Sequence, residues 1–461
     1  MPALWWIRRD LRLTDNPALC AAYARDRQVV PVFVLDPHLL ARTPERRQHF
    51  LFNGLRALDA DLRRCGISLT VRHAQPQTAL QQLLTETSAD AIFAEEDFTP
   101  YARRRDAAIT ASLPLKLIPG QTVHHPAAVI KANGAPYTVY TPFSRTWKQS
   151  LPPALTPLLA PASFAPGPLI RSEEIPPAPE HPLFPAGEAE ALRRLSSFCQ
   201  PTASPIYQYA ATRNRLDLEG TSCLSPYLRF GMLSMRQAVC TALAALRSAP
   251  DADSVKSAET WLNELIWREF FISILYHFPY VSQTSFKPTL TNIPWRNDAA
   301  DFDAWKTGRT GLPVVDAAMR QLATTGWMHN RARMIVASFL VKDLLINWQW
   351  GERWFMDHLL DGDPAANNGG WQWTAGTGTD AAPYFRIFNA VLQSRKFDPN
   401  GDYIRRWLPE LAHLPHESIH APWEQRIHIP GYPPHPIVDH ATARKATLMA
   451  YQESKFVTRN A

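Results

Sequence analysis

Cysteine is scarce in this chain. Its 461 residues hold five, Cys20, Cys65, Cys199, Cys223 and Cys240, odd in number and without metal-ligand spacing. A disulfide framework and a cysteine metal site are not expected, a reducing cytoplasm fits, and each thiol is predicted to be a small buried hydrophobe. No run of about 18 apolar residues occurs, so no membrane span is predicted. The opening MPALWWIRRDLRL sets its charges after a very short apolar run, the wrong order for a secretory signal. GxGxxG and GxxxxGK are both missing, which leaves a standard dinucleotide or P-loop site unsupported. Acidic residues fall short of basic ones, and the net charge of +6 is compatible with a polyanionic partner.

What is present reads as a globular protein of two or three domains, with 46% hydrophobic and 20% charged residues. Over residues 1–125, short apolar runs at Ala3 to Ile7, Val29 to Leu35, Ser68 to Arg72, Ala91 to Ala94 and Lys116 to Ile118 read as strands. Helical stretches lie between them, from Asn16 to Arg25, Glu45 to Cys65, Pro76 to Thr87 and Pro100 to Ala111. That alternation predicts a doubly wound parallel sheet, an α/β domain. Residues 126–190 read as a proline-rich interdomain linker, with eleven prolines in the 40 residues from Leu151 to Glu190. Residues 191–461 predict an all-α domain, clearest at Ala258 to His277, Leu312 to Thr325, Asn330 to Asn347 and Glu352 to Leu360, with Gly326, Gly351 and Gly362 where helices would stop.

The chemistry-bearing residues gather in the second half. Five Trp lie between Trp348 and Trp373, beside the acids and amides of DGDPAANNGGWQW. Indole N–H groups want partners, so such a cluster suggests a pocket for something flat, aromatic and polar-edged, a flavin or a nucleobase. In WLNELIWREF, Trp261, Glu264, Trp267 and Arg268 share a helix face; Glu264 and Arg268 either pair with each other or wall a site. In WMHNRARM, Asn330 either caps a helix or faces a site, and Arg331 and Arg333 stand against the helix dipole, which calls for a compensating anion. Asp361 and Asp363 repel unless something accepts both; with no third carboxylate or His at useful spacing, hydrogen bonds to a ribose or a ring N–H fit better than a metal. Thr221, Ser222 and Ser225 beside Gly220 suit either a phosphate cradle or a capped helix start.

Taken together, WWIRRDLRLTDNPAL, EGTSCLSPYLRFG, WLNELIWREFF, GLPVVDAAMRQLATTGWMHNRARM, PYFRIFN and IRRWLPEL resemble the photolyase/cryptochrome family, specifically class I cyclobutane pyrimidine dimer photolyases, over nearly the whole chain. The resemblance implies an N-terminal α/β antenna domain, a long linker and a C-terminal helical domain holding FAD. It implies light-driven repair of DNA by electron transfer from reduced FAD to a flipped-out dimer, by a monomer of the cytoplasm that associates with the nucleoid when bound to DNA. A cryptochrome-type photoreceptor is the alternative.

Carried over by motif, Tyr209, Thr221, Ser222, Leu224 and Ser225 would hold the FAD phosphates and ribityl region. Trp261, Arg268 and Arg333 would line the cofactor, Asp361 and Asp363 would contact its adenosine and isoalloxazine edges, and Asn367 would face its central-ring nitrogen. Plant cryptochromes carry Asp at that last position and insect ones Cys. Trp267 and Trp373 would stack on the dimer, Glu264 and Asn330 would bond its bases at the meeting of cofactor and substrate, Met334 would pack on it, and Arg331 would take a phosphate. Met334 stands where enzymes for the (6-4) photoproduct carry His-rich versions, and His329 is read as structural. Trp371, Trp348 and Trp295 occupy the electron-transfer positions. A second, antenna chromophore (deazaflavin, FMN or methenyltetrahydrofolate) is implied in the N-terminal domain, with Arg9, Asp36 and Asp97 as cleft residues on strand ends, equally readable as structural polar groups.

Overall fold

The computed structural model describes residues 1–200 and 204–459. They form two compact units, one of Met1–Ala210 with Ser222–His277 and one of Ala211–Thr221 with Phe278–Ala461.

The first unit is built on five parallel strands, β1 (Ala3–Ile7), β2 (Val29–Val34), β3 (Thr70–Arg72), β4 (Ala91–Glu95) and β5 (Leu115–Ile118), in the order β3-β2-β1-β4-β5. β1 to β4 are buried along their whole length, as apolar runs in a sheet covered on both faces must be. The doubly wound α/β expectation holds. β3 starts two residues later than its composition suggests, because the Leu69 N–H is taken by the Asp59 carboxylate at 2.8 Å rather than by a strand. The chain winds outward from β1 through β2 and β3, then from β4 to β5. The crevice where such a sheet takes ligands therefore lies at the carboxyl ends of β1 and β4.

The proline-rich stretch is not all connector. It contains a helix, Tyr140–Gln149, which buries Phe143 and Trp147. Those two aromatics, four apart, are a helical signal that the neighbouring prolines diluted. Farther on, Gly231 closes the LRFG motif with φ +66, and a Cβ there would stand inside the Arg9 carbonyl. That approach lets Leu11 N–H donate to Phe230 O and Arg12 to Gly231 O, fastening the segment after β1 to the Ser225–Phe230 helix.

The second unit is helical, with Pro313–Thr325, Asn330–Ser338, Trp348–His358 and Pro364–Ala375 supplying its main core. Gly326 ends its helix in the left-handed conformation, as predicted. Gly351 does not end a helix. It lies inside Trp348–His358, where a Cβ would collide with the Trp371 indole and Leu340. The expected single helix from Asn330 to Asn347 is also broken. It stops at Ser338 and passes into a π turn, Phe339–Asp343, which brings Lys342 inward to donate to the carbonyls of Ala375 (2.9 Å) and Tyr384 (3.3 Å). Burial pushes that ammonium down to about 7. All five cysteines are half-buried thiols, more open than predicted. Among the described residues, no helix is long and apolar enough to cross a membrane.

Candidate functional site

The first unit supplies one set of the predicted residues. Its Ala252–His277 helix begins where Asp251 accepts from the Ser254 N–H, six residues before the periodic pattern announces it. Trp261 is buried and donates through Nε1 to Ser222 Oγ at 3.4 Å, so two of the proposed cofactor residues meet directly. Tyr209 and Trp261 both pack on Phe198, with ring centroids 5.9 and 5.3 Å away. Leu224 is buried and precedes Ser225, the first residue of a short helix. Cys223, between Ser222 and Leu224, has φ +50 and turns the chain just before that helix. Glu264, Trp267 and Arg268 follow on the long helix, all half-buried, with Arg268 donating to Leu228 O at 3.3 Å.

The second unit holds the other set, with Thr221 half-buried at the end of its first segment. Arg333 donates to Met328 O and to Asp361 Oδ2, each at 2.8 Å. Arg331 forks onto Asn214 Oδ1 at 2.6 and 3.1 Å and lies over the Phe397 ring. Of the two, only Arg333 is seen with a compensating carboxylate, while the Arg331 partner is a neutral amide. Asn330 does not cap the helix: His329 does, accepting from Arg331 N–H at 3.1 Å, and Asn330 is left exposed with its amide near Met334 Sδ. Burial and the neighbouring Arg331, Arg333 and Arg213 push His329 down to about 4, so it caps as neutral imidazole. Asp363 is likewise a cap, accepting from Ala365 and Ala366 N–H. Asp361 and Asp363 thus each have a partner of their own.

Asn367 is fixed by its amide, which donates to Glu352 O at 3.0 Å. Behind it runs a buried network that the motifs did not reveal. Asn368 donates to Glu352 Oε1 (2.8 Å) and Val281 O (2.9 Å), and Gln372 donates to Asn368 Oδ1 (3.1 Å). Burial pushes Glu352 up to about 7, with the Asn368 bond pulling the other way. Its position on Trp348–His358, one turn past Trp348, was the available signal. Trp371 and Trp348 belong to one core cluster and Trp295 packs against it, while Trp373 is half-buried. Trp371 meets Phe355 at 4.9 Å and Trp305 at 6.2 Å, and Trp295 meets Tyr451 at 6.0 Å.

A sequence profile described as DNA photolyase matches residues 3–162, and one described as FAD binding domain of DNA photolyase matches residues 261–453. A protein named deoxyribodipyrimidine photo-lyase from Synechococcus sp. is 40% identical over 478 aligned positions, covering 98% of this chain and 97% of that one. The chain belongs to the photolyase/cryptochrome family. Among solved structures, a bacterial class III photolyase from Agrobacterium tumefaciens superposes with a TM-score of 0.91 at 36% identity, covering 98% of each chain. An archaeal photolyase from Sulfolobus tokodaii, described with two FAD molecules, gives 0.84 at 32%, covering 98% of this chain and 100% of that one.

The residues present fit the family's FAD. Asp361 Oδ1 and Trp371 Nε1 are buried without a hydrogen-bond partner in the protein, although buried polar atoms almost always have one. Asn367, tied at its nitrogen, has its carboxamide oxygen left to accept. A flavin ring carries both N–H donors and carbonyl acceptors on its edge. In the sheet unit, Asp36 accepts from Tyr101 OH at 2.7 Å and caps the next helix through His38 N–H. Arg9 stands 3.8 Å from Asp97, and although burial raises that carboxyl, Arg9 and Arg8 hold it below its ordinary range. Arg9 and Asp97 thus flank the β1/β4 crevice as a charge pair.

Proposed function

We infer that this photolyase repairs cyclobutane pyrimidine dimers in DNA with light. The near full-length match to a protein named deoxyribodipyrimidine photo-lyase carries the reading, and the buried, unpartnered Asp361 Oδ1 supports it. Reduced FAD, which Asp361, Asp363, Arg333 and Asn367 would hold, would supply the light-driven one-electron chemistry that opening the cyclobutane ring needs.

The protein's part is holding and orienting. Tyr209, Thr221, Ser222, Leu224 and Ser225 hold the phosphates and ribityl chain; Trp261, Arg268 and Arg333 line the cofactor; Asp361 and Asp363 bond its edges. Asn367 presents a neutral amide to the central-ring nitrogen and accommodates it with or without a proton. Trp267 and Trp373 stack on the flipped-out dimer, Glu264 and Asn330 bond its bases near the flavin, Met334 packs on it, and Arg331 takes a phosphate. Extrusion is inexpensive because a damaged pair stacks poorly. Trp371, Trp348 and Trp295 pass electrons inward when the flavin arrives oxidised, a route not needed for repair itself.

Residues 1–125 serve light gathering, 126–190 connect, and 191–461 carry the FAD chemistry. A second chromophore, a deazaflavin, FMN or methenyltetrahydrofolate, sits at the β1/β4 crevice bordered by Arg9, Asp36 and Asp97. Arg8 Nε, buried there without a partner, supports a ligand with an acceptor edge. The protein works as a monomer in the cytoplasm. Stripping FAD is expected to abolish repair of a thymine-dimer oligonucleotide, and reloading it to restore repair. Repair that survives complete removal of the flavin would contradict the reading.

A further inference from the structure

Tyr140, in the stretch that reads as linker, lies flat against Trp267. Their ring centroids are 3.7 Å apart and the planes differ by 4°. Aromatic pairs left to themselves prefer offset or edge-on arrangements, so so close and parallel a pair is held by its surroundings. Those surroundings are visible. The Tyr140 hydroxyl donates to Asn263 O, one turn before Trp267, at 2.9 Å. The buried Phe270 stands edge-on to both rings, at 5.9 and 5.5 Å, and is itself packed by the buried Phe143. The Tyr140–Gln149 helix is pinned to the long helix at its other end, where Trp147 Nε1 donates to Glu269 Oε2 at 2.6 Å and Lys148 meets Glu259 at 2.8 Å. Val123 N–H donates to the second Glu269 oxygen at 2.5 Å.

One face of the Trp267 indole is thereby covered and its plane fixed, while the ring remains partly open to solvent. We propose that Tyr140 is a positioning residue for damage recognition: it backs Trp267 and sets the plane against which the flipped-out dimer packs. The proposal rests on the reading that Trp267 contacts the dimer. Two fused pyrimidines are not a flat pair, so their contact with an indole depends on its tilt in a way that phosphate contacts do not. Loss of Tyr140 should therefore weaken discrimination and leave general DNA affinity alone.

The test uses the full-length, FAD-loaded protein. Binding is measured to an oligonucleotide with one thymine dimer and to the same oligonucleotide undamaged, and the light-driven repair rate is measured at saturating DNA. Tyr140→Ala should lower the preference for damaged DNA about tenfold, the scale of one lost base–aromatic stack. Its affinity for undamaged DNA, its FAD content and its saturated repair rate should stay close to those of the parent. Tyr140→Phe, which keeps the ring and loses only the hydroxyl, should restore most of the preference. Trp267→Ala should lose the preference, and the double variant should be no worse than Trp267→Ala alone. Should Tyr140→Ala not fold, Tyr140→Leu fills the space against Phe270 and carries the same expectation. Full preference in the Tyr140 variants, with preference lost in Trp267→Ala, overturns the proposal. So does a parallel loss of undamaged-DNA affinity or FAD. Full preference in Trp267→Ala overturns instead the assignment of Trp267 to the dimer.

Discussion

Asp361 shows how one carboxylate is divided between fold and cofactor. Oδ2 holds Arg333 in place, and Oδ1 is buried with no partner. Asp361→Asn keeps the shape but removes the charge that both tasks use. FAD retention should weaken by about tenfold, the scale of one charge-assisted hydrogen bond, read as flavin absorbance kept per polypeptide on dilution. Unchanged retention would show that Oδ1 is not facing the cofactor. Residue identities here were legible because Asp and Asn crowd one short segment and Arg another, 28 positions before it. Their partners were not. That His329, not Asn330, caps its helix depends on which side chain turns back toward the Arg331 N–H, and either residue type would suit the position. That Gly351 sits in mid-helix depends on the Trp371 indole, twenty positions along the chain.

At the scale of elements, periodic stretches announced themselves and their ends did not. The five strands and the long helices lie close to where alternation and helical spacing put them. The break at Ser338 escaped notice because FLVKD continues the apolar run of the helix before it; the contacts that hold the turn, Lys342 to distant carbonyls and Asp343 to His440, lie far along the chain. The network behind Asn367 links two elements, with Glu352 on one helix and Asn368 on the next. Glu352 titrates near 7, above its ordinary 4.5, so the folded state holds its proton more tightly than the unfolded chain does. Its share of stability is full below 4.5 and is lost as pH rises through about 7. Glu352→Gln still accepts from Asn368 through its amide oxygen but cannot titrate. The fall in melting temperature across that pH window should be shallower in the variant, and an identical fall in both proteins would assign the slope elsewhere.

For the whole molecule, the motifs identified the family and the fold class, while the brace on Trp267 came only from coordinates. Tyr140 is 127 positions from Trp267, and no spacing rule connects a tyrosine among prolines with a tryptophan on a distant helix. The account makes one demand of the intact protein: light absorbed by its own reduced flavin must reverse damage in DNA. The direct measurement is a count of thymine dimers remaining in an oligonucleotide after incubation with the reduced, FAD-loaded protein, in blue light and in parallel darkness. The expected result is loss of dimers in light, many per protein molecule, with none lost in the dark. Dimers that persist under light while bound to a protein whose reduced flavin is intact would contradict the account and favour a photoreceptor that uses the same fold to signal.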